Sequence, residues 1–339
     1  LRGYFPADAG PAEVRAGLAR LAEAHGLTLP ELLAANPAYH PALGDDAAWR
    51  PPALAVVVPE PPPETPPRWG RAGARAAAEA LIVFCETRRD CVALIDPPAD
   101  ADTGPRVEDF RAELPDTPAA GLYWPWLVAE RDPRAGGAGR RTGTFAIPPS
   151  GFVAGLTAAA DLAVGPHRSP AGQTARRALA LAAGVDEALH GRLNARGVNA
   201  FRERPERGVV LEGTRSLARG GPWRWLNVRR TFLAIAEDVE ERTAWAVFEP
   251  NGPLLWADLR DAVRAYLTRR WRRGWLAGAR PEEAFYVRCD EETNTVAEQE
   301  AGRVIARIGL RFPPPIEWIE VRIGRSALGL EVLDVDRAA

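Results

Sequence analysis

Between Asn227 and Asp290 the hydrophobic pattern changes period repeatedly, and each change predicts an element. Val228, Phe232, Ile235 and Val239 recur at spacings of three and four, the period of one helix face, while Glu237, Asp238, Glu240 and Glu241 fall mostly outside it. From Ala244 to Phe248 a short apolar run with aromatic and β-branched residues predicts a covered strand. A second helix follows, with Trp256, Leu259, Val263, Tyr266, Leu267, Trp271 and Trp275 as its apolar stripe and Arg260, Arg264, Arg269, Arg272 and Arg273 projecting from the rest. Pro253 suits its first turn, and Gly278 and Pro281 stand where it should stop. EEAFYVRCD then predicts a strand, so this stretch reads as a compact α/β core.

Elsewhere the same reading divides the chain. Val14, Leu18 and Leu21 at helical spacing, then TLPELLAAN with Thr28 as cap and Pro30 in its first turn, then the strand-like ALAVVVP, predict a small module over residues 1–59. The proline run EPPPETPP cannot build a core and favours extended conformation, which makes residues 60–72 a semi-rigid linker. Beyond it we expect a helix from ARAAAEA, strands around 81–84 and 92–95, a short helix in VEDFRAELP and a strand through GLYWPWLVA, a βαβ-like alternation. Cys85 and Cys91 flank a turn; they either face each other across a hairpin or serve as two small buried hydrophobes. FVAGLTAAADLAV predicts a helix, and VNAFRERPERGVVLEGTRSL two strands joined at Arg204 to Gly208 with one covered and one polar face. Strands are expected at 302–312 and 317–323, separated by three prolines that would direct the second away from the compact domain, and LEVLDV reads as one more.

Five segments in order, RDCVALIDPP, IPPSGFVAG, GVNAFRERPERGVVLEGTRSL, the stretch VRRTFLAIAEDVEERTAWAVFEPNGPLLW with LAGARPEEAFYVRCDEETNT, and PPPIEWIEVRIGR, resemble the contractile tail sheath proteins of phage tails and contractile injection systems. The resemblance spans roughly residues 75–325 and rests on the ordered set, since no piece is a catalytic motif. It implies an α/β (α+β) sheath-type core over 73–312, a mixed sheet flanked by helices, and a C-terminal strand arm with extension over 313–339. HGLTLPELLAANP followed by a strand resembles the LysM fold, which implies a β-α-α-β module and, in many such proteins, binding to N-acetylglucosamine polymers. The family's N-terminal arm with its Pro-Gly-Val-Tyr phrase is not seen; the chain lacks an initiator methionine and is expected to be processed or part of something longer.

Composition narrows the function. At 339 residues with 46% apolar content the chain can bury a sizeable core, and a net charge of -2 argues against a polyanion as main partner. All 43 basic residues are arginine, a sign of GC-rich coding that lowers the functional weight of any one arginine cluster. Interleaved Arg and aromatic residues in TRRWRRGW would suit nucleic acid, yet the acidic helix upstream favours a positive stripe meeting an acidic patch on another copy. Loop 131–144 is rich in Gly and Arg but lacks the Lys-Ser/Thr pair of a phosphate cradle. His25, His40, His167 and His190 and the three cysteines show no metal-ligand spacing, and Ser150 in PPSGF is not a nucleophile elbow. No run reaches the roughly 18 apolar residues of a membrane span, and no signal-peptide pattern opens the chain.

The expected role is therefore structural: a non-enzymatic subunit without cofactor or metal, polymerising with its own copies in hexameric rings around an inner tube protein, meeting baseplate or cap proteins, and assembled in the cytoplasm as part of a phage tail or injection particle. The alternatives are a sheath-derived cap or baseplate adaptor and a glycan-binding component that touches peptidoglycan. Candidate interface residues are Glu317, Trp318, Ile319, Glu320, Val321, Arg322 and Ile323 as an arm that adds a strand to a neighbour's sheet. Arg260, Arg264, Arg269, Arg272 and Arg273 are expected to meet Glu237, Asp238, Glu240 and Glu241 of another copy.

Overall fold

The computed structural model describes residues 54–55, 70–130, 143–313, 318–326 and 329–337. Apart from Leu54 and Ala55, the expected LysM-like module lies outside them, as do most of the proline linker, the Gly/Arg loop at 131–142 and Glu317. The chain divides into two units, residues 1–230 and 231–339.

In the first unit, helix α1 (Arg71–Arg88) leads into strand β2 (Val92–Ile95), helix α2 (Gly104–Glu113) into β3 (Ala120–Trp124), and helix α4 (Glu187–Ala195) into β7 (Val198–Arg204). With the two-residue β1 (Leu54–Ala55) and β8 (Gly208–Glu212) these form a sheet ordered β1-β2-β3-β7-β8, parallel except for the β7–β8 hairpin. Ile82, Phe84 and Cys85 of α1, Val107 and Phe110 of α2, and Leu193 of α4 bury against Ile95, Leu122, Trp124 and Val198. Burial of that kind is worth about 1.5–3 kcal/mol per large side chain.

The strand expected at 81–84 is the last part of α1. Alanines are the strongest helix formers, and Ala74, Ala78, Leu81, Ile82 and Cys85 continue one buried helical face through the apolar run while Val83 points outward. Arg89 closes the helix in the left-handed conformation, its N–H donating to the Cys85 carbonyl. Cys85 and Cys91 thus flank a helix end rather than a hairpin, both buried and free; the Cys91 thiol pKa is pushed up by its hydrogen bond with Cys85 and then by burial. GLYWPWLVA is two strands: β3 stops before Pro125, which has no N–H to give to a ladder, and the chain restarts as β4 (Leu127–Glu130). β4 centres a small antiparallel sheet with β5 (Thr144–Ile147) and β6 (Ala178–Leu181). Between β5 and β6 lies helix α3 (Ser150–Ala163). The polar face expected on β8 is absent: Val209, Val210 and Leu211 are all buried. The segment 172–175 also lies along the outer edge of β8, with Gly172 N–H donating to Leu211 O and Ala175 N–H to Val209 O at 2.7 and 2.8 Å.

Helix α5 (Leu226–Arg242) runs across the boundary into the second unit, which continues with α6 (Pro253–Arg272), the short α7 (Pro281–Ala284), β9 (Phe285–Arg288), the short α8 (Val296–Glu300) and β10 (Val304–Arg311). Strands β11 (Trp318–Ser326) and β12 (Gly329–Arg337) complete an antiparallel meander ordered β12-β11-β10-β9. The strand expected at Ala244–Phe248 is a 3-10 helix in which only Ala246 is buried. Five residues pinned between the end of α5 and the turn signals Pro250, Asn251, Gly252 and Pro253 leave no length to reach a sheet edge, so the helical period persists.

Candidate assembly surfaces

The C-terminal segment was expected to leave the domain; it folds back instead. β11 pairs with β10 over eight positions, from Val304↔Arg325 to Arg311↔Trp318, and on its other side with β12, from Ile319↔Arg337 to Ser326↔Gly329. Proline cannot donate to a ladder, so Pro313 ends β10 without preventing the return. In register, Glu320 faces Gly309 and Asp336, Val321 faces Ile308 and Val335, Arg322 faces Arg307 and Asp334, and Ile323 faces Ala306 and Val332. Ile319, opposite Leu310, is buried. The nominated arm is therefore an inner strand whose backbone is already used on both sides. The free edge belongs to β12, a nine-residue strand with no partner on its outer side among the described residues. A long open edge presents a row of unpaired donors and acceptors, the requirement for adding a strand from another chain.

The charged helices sort into used and unused groups. Asp238 is used inside the unit: it accepts from Tyr266 Oη at 2.6 Å and pairs with Arg270, an arginine that sequence reasoning did not nominate. Arg270 also lies over the rings of Trp275 and Tyr266, at 4.3 and 5.0 Å. Burial first, then the hydrogen bond to Asp238, raises the Tyr266 pKa, which keeps the phenol protonated as the donor. Half-buried Arg260 donates to the Cys289 carbonyl at 3.4 Å. Glu237 and Glu240 are engaged in interactions of the fold, and Glu241 is exposed. Arg264, Arg269, Arg272 and Arg273 are exposed on the C-terminal half of α6 and just after it, and form no ion pair among the described residues.

A third surface escaped the sequence. Phe248 is 88% exposed and Leu254 84%, with Trp245 and Val247 also open to solvent at the start of α6. The dense turn signals after Phe248 are the one cue that could have argued against a buried strand there. Near this end of α6, Pro253, Trp256, Arg260, Cys289, Asp290, Glu291 and Glu292 line a cavity of about 340 Å³. Its carboxylates are largely committed, since Arg288 bridges Asp290 and Glu292. The Asp290 pKa is lowered chiefly by that arginine's hydrogen bond. Among the described residues no group of three or more His, Cys, Asp and Glu is placed to hold a metal ion, and no helix is long and apolar enough to cross a membrane.

Comparison with known proteins gives these surfaces a context. The model of the phage tail sheath protein central domain matches residues 72–217, and that of the phage tail sheath C-terminal domain matches residues 220–324. The chain is similar to a protein in the six-fold symmetrised baseplate of the anti-feeding prophage, with 27% identity over 73% of this chain and 64% of that one, at a TM-score of 0.61. A second similar structure is the sheath complex of the extracellular contractile injection system PVC in its contracted state, with 31% identity, coverage of 69% and 63%, and a TM-score of 0.61. The helical sheath of the anti-feeding prophage in its contracted state shares 25% identity, with coverage of 76% and 66% and a TM-score of 0.61. The chain spans less than two thirds of the length of each of these three relatives. No curated protein sequence matches it.

Proposed function

The chain belongs to the phage tail sheath protein family, and on that premise we propose that it is a structural, non-catalytic subunit of a contractile sheath, polymerising helically around an inner tube and shortening to drive that tube through a target envelope. The observation that carries this reading is the open edge of β12, the outer strand of the second unit's sheet. A strand donated by a neighbouring subunit can extend that sheet through main-chain hydrogen bonds alone, and a heterologous contact of this kind propagates instead of closing. Copies linked through strands can change their mutual packing while each sheet stays intact, so the energy released on shortening resides in the contacts between subunits. The chemistry needs no nucleotide or cofactor.

Within this reading residues 73–312 are the subunit core and 313–339 its linking segment, now with β12 as the contact strand in place of 317–323. Assembly takes place in the cytoplasm before the particle forms. The similarity to a baseplate protein favours one second reading, a sheath-derived adaptor that forms a single ring beneath the stack. Contact with peptidoglycan through residues 1–59 is a separate proposal, tested by retention of that fragment on insoluble peptidoglycan.

Negative-stain electron microscopy of the purified chain, alone and with its inner tube protein, distinguishes these outcomes. Striated tubes are expected. Isolated rings that never stack would select the adaptor, and persistent monomers under both conditions would overturn the assembly reading.

A further inference from the structure

Helix α6 separates two surfaces of opposite character within the second unit. At its start, Phe248 and Leu254 are the two most exposed large hydrophobic residues among those described, with Trp245 beside them in the preceding 3-10 turn. Glu241, Glu249 and Asp258, all exposed and without an ion pair among the described residues, lie close in sequence to this apolar group. At the other end, Arg264, Arg269, Arg272 and Arg273 are exposed and equally without ion pairs. A helix dipole favours cations in the last turn by a few tenths of a kcal/mol each, which covers Arg269 and Arg272 but not Glu241, which stands at the end of α5. The dipole does not explain why Phe248 and Leu254 stand in water either, and large apolar side chains left exposed close together in the chain are what a docking site requires.

Resting on the sheath reading, we propose that copies of this chain dock head to tail through α6: the aromatic, acid-rimmed head of one copy receives the arginine end of the next. The unit already contains a closed version of this contact, in which Arg270 stacks on Tyr266 and Trp275 and pairs with Asp238. Guanidinium suits such a receptor because it is weakly hydrated, stacks on ring faces and pairs with carboxylate in a planar fork. Head and tail are separated by a rigid helix of 20 residues, about 30 Å, and cannot meet in one molecule. A second copy satisfies both, and each addition leaves a fresh head and a fresh tail.

Charge exchange tests it. One full-length variant carries E241R and E249R at the head; the other carries R272E and R273E at the tail. Circular dichroism first establishes that both fold. Each variant alone sets like charges against each other, and sedimentation velocity is expected to show association at least tenfold weaker than for the intact chain. The equimolar mixture restores association, since its alternating contacts pair opposite charges. F248A/L254A is expected to associate weakly alone and in every mixture. Variants that assemble like the intact chain would overturn the head-to-tail contact and leave the sheath reading standing. Tubes from the intact chain with no recovery in the mixture would do the same. An intact chain that stays monomeric at every concentration, with no tubes or rings by microscopy, removes the sheath reading along with it. Protection of Phe248 from hydroxyl-radical labelling in the monomer would mean that another segment of the same chain covers the head, and would also overturn the proposal.

Discussion

Asp96 shows how one residue ties strand to helix and acidity to stability. It follows β2 and accepts from the backbone N–H and the hydroxyl of Ser150, at 2.8 and 2.5 Å, which anchors the start of α3. Burial pushes its carboxyl up to about 7, outweighing the opposing effect of both hydrogen bonds. An unfolded aspartate titrates near pH 4, so between about pH 4 and 7 the folded chain keeps a proton that the unfolded chain has released. Stability from this group is therefore full below about pH 4, falls as pH rises through 7, and is flat above. Urea midpoints at pH 5 and 8 are expected to differ less for D96N than for the intact chain; equal differences would remove Asp96 as the cause. Asn294 acts through hydrogen bonds alone. Almost fully buried, it accepts from Ile305 N–H at 2.6 Å and donates to the carbonyls of Ile305 and Asp290, filling a place in the ladder beside β10. N294A strands those groups and is expected to cost about 3 kcal/mol in urea unfolding, against well under 1 for an exposed site.

Glycine sets the joints between elements of the second unit. Gly278, just beyond α6, has φ +135 and accepts from Trp271 Nε1; a Cβ there would come within 2.9 Å of the Ala284 backbone nitrogen, which has nowhere to go. Gly309 of β10 has ordinary backbone, and a Cβ would meet the ring of its cross-strand partner Tyr286, which is 37% exposed and can swing outward. G278A is expected to lose about 2 kcal/mol and G309A about 1, and thermal melts reversing that order would sink the distinction. Elements whose pattern was long and one-sided, such as α5, α6 and the β7–β8 hairpin, were readable from the chain because local period and tertiary burial agree there. Short apolar runs were not: 81–84 and 244–248 satisfy strand and helix equally in composition, and what decided them was the alanine-rich lead in one case and the confined span in the other. The covered face of β8 was hidden because the segment along its edge lies some 35 residues earlier in the chain, and the wet position of Phe248 was hidden because hydrophobicity alone does not report exposure.

On the scale of the whole chain, the pairing of β11 changes which substitutions probe assembly. Val321→Pro removes a donor from a strand bonded on both sides, so it is expected to unfold the second unit's sheet, visible as lost amide protection in β10 and β11. Truncation after Ser326 removes β12 and leaves the β9–β11 sheet paired; it is expected to raise the concentration needed for tube formation by about tenfold or more, and unchanged assembly would clear β12 of the role. The arm was legible as a strand, but its place in the sheet depended on pairing with β10 and β12 that no local pattern encodes.

The five-stranded sheet of the first unit and the meander of the second also impose different clocks. Every neighbour in the β9 to β12 meander is the next strand in sequence, so that sheet can zip from local contacts. In the first unit β3 pairs with β7, Leu122 opposite Val198, across a span of chain that holds β4 to β6, α3 and α4. Loop closure over such a span slows pairing. Refolding is therefore expected in two phases, with the assembly-bearing sheet reaching its native form while the first unit is still searching.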